Sequence, residues 1–107
     1  LFFNGIKDIF DELDTKESWV DFINILSLDK RIGDSHMSVP GHDGKRGFGG
    51  ACFTKDTAAL INYSDSISKK FELLKKVVSL NNSLRKSYKN LDKREKDQNV
   101  NYDFSND

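Results

Sequence analysis

The sequence is poor in the residues that mark several specialised classes of protein. Its 107 residues include one cysteine and one proline, and its acidic and basic side chains cancel to no net charge. A single cysteine cannot form an internal disulfide, so a small disulfide-bonded scaffold is excluded. A chain without excess positive charge does not suit nucleic-acid binding, which depends on displacing phosphate counterions. No apolar run approaches the roughly 20 residues that a membrane-spanning helix needs.

These absences favour a soluble domain in a reducing compartment. We expect a cytoplasmic protein without a secretory leader, a membrane contact or a nucleic-acid partner. The length allows one domain at most. Because only 36% of the residues are hydrophobic and 32% are charged, part of the chain is expected to lie outside any core.

Apolar residues recur at helical spacing along most of the chain and predict an all-α fold of about four helices. The first helix is predicted over residues 1–13. The second is predicted to start after Asp14, which would form a capping box with Glu17, and to end near Leu28. Its aromatic residues share one face, so we expect them to pack in the core rather than bind a ligand.

The second half of the chain is predicted to hold a short helix and then a long C-terminal one. The short helix spans residues 54–61 and is interrupted by Tyr63-Ser64-Asp65, and the long helix spans about residues 66–91. The apolar stripe of so long a helix needs a partner to cover it. Beyond it the composition turns polar, so we expect one domain over residues 1–91 and a disordered tail over residues 92–107.

The one segment whose composition points to chemistry ends a loop of about 17 residues, a length that tends to be functional in a compact domain. It reads Gly47-Phe48-Gly49-Gly50, here called the glycine segment, and the lone Cys52 follows at the start of a predicted helix. Glycines let a backbone approach a ligand closely. A helix N-terminus and the nearby Lys55 stabilise a thiolate, which is a nucleophile. The residues alone leave two interpretations of Cys52 open, a catalytic thiol and a buried structural cysteine.

Three other kinds of site do not fit the sequence. The glycines between residues 41 and 45 lack the G-x-x-x-x-G-K-[ST] spacing of a phosphate-binding loop. The glycine segment does not match G-x-G-x-x-G and follows no predicted strand, so it is not a Rossmann dinucleotide turn. Two histidines and one cysteine have no recognised ligand spacing, so we expect no metal.

Residues 47–56, Gly-Phe-Gly-Gly-Ala-Cys-Phe-Thr-Lys-Asp, resemble the GFGG-x-CF-x-KD signature of the UDP-glucose/GDP-mannose dehydrogenase family. Upstream, residues 28–33 resemble the D-x-RIG segment that precedes this signature in the family. The likeness covers roughly residues 1–85 and corresponds to the family's central helical domain. Thr54 departs from the proline that the family usually has, although a threonine can cap a helix instead.

The resemblance implies roles for two residues in catalysis. In the family, the cysteine at the position of Cys52 attacks the aldehyde stage of the sugar, and the resulting thioester is hydrolysed to the uronic acid. Asp56 matches the aspartate that assists proton transfer and the hydrolytic water. The alternative for Asp56 is a carboxylate in the first helical turn, which the helix dipole favours by itself.

Further residues are implied to bind the substrate. Gly47, Phe48 and Gly49 match the segment whose backbone lines the sugar pocket, and Lys55 matches the lysine of the signature. Arg31 corresponds to an arginine that reaches across a dimer to the nucleotide sugar of the partner. A guanidinium suits that role because its donors form a rigid fork. A surface arginine, a plain glycine turn and a solvated lysine are the structural alternatives.

The resemblance as a whole implies part of an NAD-dependent UDP-glucose 6-dehydrogenase-like enzyme. Its substrate would be UDP-glucose or a related nucleotide sugar, and it would form a homodimer. NAD would be bound by a domain absent from this chain, so the chain alone is expected to be inactive. The alternative is a non-catalytic dimerisation or nucleotide-sugar-binding module, and a helical scaffold without a ligand also remains open.

Overall fold

The computed structural model of the chain describes residues 1–103, which form helices and no strand. This confirms the predicted all-α class for the described part of the chain. The residues divide into two compact units, of which the first spans Leu1–Arg46 and the second starts at Gly47. The helices found are five in number: α1 Phe2–Asp11, α2 Trp19–Leu26, α3 Ala51–Ser66, α4 Glu72–Arg85 and α5 Lys93–Asp97.

The first unit is built on aromatic side chains from α1 and α2. The ring centroids of Phe10, Trp19 and Phe22 lie 5.3–5.5 Å from one another, within the range of favourable ring packing. Lys7 places its ammonium 5.9 Å from the centre of the Trp19 ring. The aromatic face of α2 therefore packs in a core, as the helical spacing predicted.

The cap of α2 differs from the predicted one. Ser18 is the N-cap, and its Oγ accepts a hydrogen bond of 3.1 Å from the backbone N–H of Asp21. The predicted capping box of Asp14 and Glu17 is wrong, because the helix starts later and the N–H of Glu17 donates instead to Thr15 Oγ1 at 3.2 Å. A serine next to the first helical residue satisfies the free N–H groups directly.

In the second unit, α3 is one unbroken helix of 16 residues. The predicted interruption at residues 63–65 is wrong. Ser64 Oγ donates to the carbonyl of Ile61 at 3.1 Å, and Ser66 Oγ donates to the carbonyl of Tyr63 at 2.7 Å. These hydroxyls bond back to carbonyls of their own helix, which continues through Ser66.

The predicted long helix over residues 66–91 is also wrong. The chain turns at Ser68, where φ is +58°, and α4 then begins at Glu72 and runs for 14 residues. The turn lets α4 pack against α3, and Lys75 Nζ pairs with Asp65 Oδ1 at 2.9 Å. Val78 is buried in the same unit. The apolar stripe predicted for one long helix is thus partly covered within the chain.

Residues beyond position 91 differ from the expected disordered tail over the part that is described. Asp92 and Glu95 form a capping box that starts α5, and both Glu95 and Tyr102 are buried, at 1% and 7% exposure. The polar composition did not predict this ordered segment, because its buried groups form hydrogen bonds rather than apolar contacts. Residues 104–107 lie outside the described residues, and the domain boundary at 91 stays a prediction.

Candidate functional site

The glycine segment and Cys52 form the centre of the candidate site, in the second unit. Gly47 has φ +75° and Gly50 has φ +87°, conformations that only glycine adopts without strain. Gly50 is the N-cap residue of α3, so Cys52 occupies the second position of that helix. The backbone bend at Gly50 thereby sets Cys52 in the first helical turn, where N–H groups lack intrahelical partners.

Two polar side chains of α4 hold the glycine segment. The carboxamide of Asn81 is fully buried, accepting from the N–H of Phe48 at 2.6 Å and donating to the carbonyl of Phe48 at 2.8 Å. Arg85, one turn later and 3% exposed, donates from Nη2 to the carbonyl of Gly47 at 2.9 Å. The loop backbone thus bonds to side chains rather than to a strand, which satisfies its polar groups.

Sequence analysis did not identify Asn81 or Arg85. Their spacing of four residues places them on one helix face, and Val78, three residues before Asn81, is buried. A carboxamide among buried apolar positions of a predicted helix is the signal that could have pointed to them, because such a group needs a specific partner.

Gly49 is required for a different reason than its neighbours. A Cβ at this position would lie 2.8 Å from Arg85 Nη1 and 2.9 Å from Tyr102 Oη, both too close for a real contact. The backbone of Gly49 therefore rests against a buried guanidinium and a buried phenol. Close approach, rather than φ, explains this glycine.

Cys52 is exposed and carries a free thiol. Arg94 of α5 places Nη2 3.8 Å from Cys52 Sγ, the distance of a weak hydrogen bond to sulfur. A cleft of about 250 Å³ adjoins the sulfur, and its walls are Ala51, Cys52, Lys55, Arg94, Asp97 and Gln98. The thiol therefore faces an open cleft that carries two cationic side chains, and it is not a cysteine sealed in a core.

The other predicted residues of α3 are on the surface. Asp56 lies one turn beyond Cys52, and its Oδ1 is 3.7 Å from Lys55 Nζ, with both side chains about two-thirds exposed at 68% and 65%. Lys55 lines the cleft at Cys52 and also a larger cleft of about 450 Å³ between α3 and the residues around 98–102. The structure places Lys55 in the walls of both clefts, whereas Asp56 lines neither.

Thr54 does not cap α3. Its Oγ1 donates to the carbonyl of Gly50 at 2.7 Å, whereas a capping oxygen would accept from an N–H group. The helix starts without a capping side chain, so its first N–H groups are not bonded to a cap. These groups favour negative charge near the start of the helix.

Arg31 belongs to the first unit and lies in the turn after α2. Its Nε and Nη2 donate to the two carboxylate oxygens of Asp29 at 3.0 Å and 2.7 Å, and its backbone N–H donates to Oδ1 at 3.0 Å. The side-chain hydrogen bond, followed by the backbone one, lowers the pKa of Asp29, and the side-chain bond raises the pKa of Arg31. The side chain of Arg31 is 89% exposed, and the Nε–Nη2 edge of its guanidinium is bonded to Asp29.

The part of the chain that the structure describes holds no cluster of three or more histidine, cysteine or acidic side chains suited to a metal ion. Among the same residues, no helix combines the length and the apolar character needed to cross a bilayer.

Comparison with known proteins gives three findings. Residues 1–83 match the central domain of the UDP-glucose/GDP-mannose dehydrogenase family. UDP-glucose 6-dehydrogenase YwqF of Bacillus subtilis (strain 168) is 40% identical over 58 residues, which are 54% of this chain and 12% of that protein. UDP-glucose 6-dehydrogenase TuaD of the same strain is 33% identical over 84 residues, or 78% of this chain and 17% of that protein. The chain thus spans less than a fifth of the length of either relative. No solved structure matches it.

Proposed function

Because the chain belongs to the UDP-glucose/GDP-mannose dehydrogenase family, as the signature in residues 47–56 predicted, we propose that it supplies the catalytic thiol of a nucleotide-sugar dehydrogenase. The observation that supports this most directly is the exposed Cys52 at the start of α3, with Arg94 Nη2 at 3.8 Å. The proposed substrate is UDP-glucose or a related nucleotide sugar, because both relatives are named as UDP-glucose 6-dehydrogenases.

Two chemical steps fall to residues of this chain. The Cys52 thiolate adds to the carbonyl carbon of the sugar aldehyde, a carbon–sulfur bond forms as the carbonyl π bond opens, and the oxygen takes up a proton to give a thiohemiacetal. NAD bound outside this chain would accept the hydride that converts this adduct to the thioester. Water then attacks the thioester carbon, the carbon–sulfur bond breaks, and the products are the carboxylate and the thiol, with one proton released from the water. Asp56, one turn further along α3, is proposed to take the proton from this water, and its exposed position leaves it accessible to solvent.

The charges around Cys52 support the first of these steps. The N-terminal N–H groups of α3 and the guanidinium of Arg94 place positive charge near the sulfur. Lys55 lines the same cleft, as does the acidic Asp97. Positive charge of this kind stabilises a thiolate, which is the nucleophilic form of cysteine. In the same proposal, the backbone of Gly47, Phe48 and Gly49 lines the sugar pocket, Lys55 contacts the substrate, and Arg31 reaches the nucleotide sugar of a partner subunit.

The described residues of this chain do not form a Rossmann-type site for NAD. A Rossmann turn connects a strand to a helix, and the described residues contain no strand. We therefore place NAD on a part of the enzyme outside this chain. The chain by itself is expected to form no NADH when NAD and UDP-glucose are added, and appreciable turnover would contradict this part of the proposal.

Homodimerisation is proposed through α3. Three large apolar side chains of this helix and that of its C-cap residue, Ile67, are about half or more exposed. Their spacing of seven, three and four residues places them on one face: Phe53 56%, Leu60 48%, Tyr63 62% and Ile67 48%. An exposed apolar face of this kind marks an interaction surface. Sedimentation analysis should give a dimer for the chain and a monomer for Leu60→Glu, with Lys55→Glu as a control for added negative charge.

The reactivity of Cys52 tests the catalytic proposal against the non-catalytic alternative. Below about pH 7, Cys52 should react with iodoacetamide faster than the same cysteine in a short peptide of residues 50–56. Arg94→Gln should slow the reaction, whereas Lys96→Gln, which removes an equal charge from α5 outside the cleft, should not. A thiol no more reactive than the peptide would leave a dimerisation or sugar-binding module as the function.

A further inference from the structure

Two buried residues that are bonded to each other, Glu95 and Tyr102, lie beyond the part of the chain that matches the family. The match ends at residue 83, yet Glu95 is 1% exposed and Tyr102 is 7% exposed. The hydroxyl of Tyr102 donates to Glu95 Oε2. Glu95 Oε1 in turn accepts from the N–H of Asp92, whose carboxylate accepts from the N–H of Glu95 at 2.8 Å. Both oxygens of the buried carboxylate are therefore bonded, which is the condition for a stable buried charge.

The same phenol lies against the glycine segment. A Cβ built on Gly49 would be 2.9 Å from Tyr102 Oη and 2.8 Å from Arg85 Nη1. Arg85 bonds the carbonyl of Gly47 from α4, so the Cβ side of Gly49 faces both a guanidinium of α4 and a phenol that is bonded to Glu95 of α5. Neither contact leaves space for a methyl group.

We propose that residues 92–102 are a clasp on the glycine segment, and that Tyr102 and Glu95 are positioning residues for the thiol site. Glu95 fixes α5 through its own capping box and ties it to Tyr102, which backs Gly49. The same fixed helix carries Arg94 to within 3.8 Å of Cys52 Sγ, and Asp97 and Gln98 to the wall of the cleft. Tyr102 and Glu95 therefore act on Cys52 through the glycine segment and through Arg94, without touching the sulfur themselves.

The clasp does not depend on the chemistry of Cys52, and only its relevance to catalysis rests on the proposed function. The clasp and its effect on the thiol can therefore be tested by two separate measurements. Exchange of the Phe48 amide hydrogen, which is bonded to Asn81, reports whether the segment is held. Alkylation of Cys52 reports whether holding it matters to the thiol. A role in stability alone would instead raise exchange equally along α3 and α4.

The test compares Tyr102→Phe with Tyr63→Phe in the full chain by hydrogen exchange and by iodoacetamide alkylation. Tyr102→Phe removes only the hydroxyl that bonds Glu95, and Tyr63 is 62% exposed and serves as the matched control. Losing the hydrogen bond to Glu95, worth about 1 kcal/mol, should raise exchange at Phe48 by about fivefold. Alkylation should slow in the same variant, while exchange in the middle of α3 stays at the wild-type rate.

Glu95→Gln is the second variant, because it keeps the shape and an acceptor for Tyr102 while removing the buried charge. It should raise exchange at Phe48 as well, since the carboxylate bond becomes a weaker neutral one. Exchange at Phe48 equal to that of Tyr63→Phe in both variants would overturn the clasp, as would a uniform rise along α3 and α4. A response at Phe48 together with an unreactive Cys52 would keep the clasp and reject the catalytic proposal.

Discussion

Replacing Gly47 by alanine tests how the glycine segment is held. The residue has φ +75°, and its new Cβ would lie 2.5 Å from Asn81 Oδ1. A side chain in the left-handed region costs about 1–2 kcal/mol. Asn81 must also turn away, losing its bonds of 2.6 Å and 2.8 Å to the Phe48 peptide. A buried amide left without partners costs about 1–3 kcal/mol more, so the free energy of unfolding should fall by about 2–5 kcal/mol.

Gly44 provides the matched control for backbone strain. Its φ of +73° is nearly that of Gly47, but nothing lies within 4 Å of a Cβ at this position. Gly44→Ala should therefore cost only about 1–2 kcal/mol. The assay is urea unfolding followed by far-ultraviolet circular dichroism, with both variants compared to the wild type. Equal costs for Gly47→Ala and Gly44→Ala would refute the argument that Asn81 is displaced.

A double-mutant cycle isolates the contact itself. When Asn81→Ala has already removed the carboxamide, Gly47→Ala should lose only the strain component. The two substitutions should then couple by about 1–3 kcal/mol, as residues in direct contact do. Additivity within about 0.5 kcal/mol would show that the two residues do not act on each other.

Three smaller predictions follow from other contacts. Ser18→Ala should lower the free energy of unfolding by about 1 kcal/mol in urea titrations, because it removes the cap of α2, whereas Asp14→Ala should change it by less than about 0.5 kcal/mol. The hydrogen bond between Lys75 and Asp65 raises the pKa of Lys75. The pair therefore stabilises the folded chain fully at pH values below the ordinary lysine pKa of about 10.4, and this contribution is lost as pH rises through the raised pKa. Asp65→Asn should accordingly lower the melting temperature at neutral pH and have no effect once Lys75 is deprotonated. Gly49→Ala should destabilise the chain by about 1–3 kcal/mol in the same urea assay, because it displaces the buried polar groups of Arg85 and Tyr102. No backbone strain is expected at this position. A variant as stable as the wild type would contradict the close packing of Arg85 and Tyr102 against Gly49.

The sequence was sufficient for the features that depend on local pattern. Helical spacing predicted the all-α class and the packing of Trp19 and Phe22, because an apolar face must be buried wherever the helix lies. The signature in residues 47–56 predicted the family, which the match over residues 1–83 confirms. The roles of Cys52 and Asp56 in catalysis stay predictions.

Features that depend on distant partners could not be predicted from local pattern. Asn81 bonds a peptide 33 residues away, and Arg85 bonds one 38 residues away. The helical pattern can show that a carboxamide falls among apolar positions, but it cannot identify the backbone groups that Asn81 and Arg85 bond. Glu95 and Tyr102 were missed for the same reason, since a polar composition does not reveal which of its polar groups are bonded to one another.

The predicted helix boundaries were wrong for a related reason. A serine hydroxyl can accept from a backbone N–H, which starts a helix, or donate to a backbone carbonyl within a helix that continues. Ser18 accepts from an N–H and starts α2, whereas Ser64 donates to a carbonyl and lets α3 continue. The residue type is the same in both places, so only the geometry separates the two outcomes.

The recognition of the Phe48 peptide by a side-chain carboxamide has a consequence for protein engineering. The conformation of the signature is specified from outside the signature, by an asparagine and an arginine four positions apart on the facing helix. Grafting residues 47–56 alone into an unrelated helical host should therefore transfer the composition of the loop without its shape. A transferable version of the motif has to include both residues 47–56 and the facing helix that carries Asn81 and Arg85.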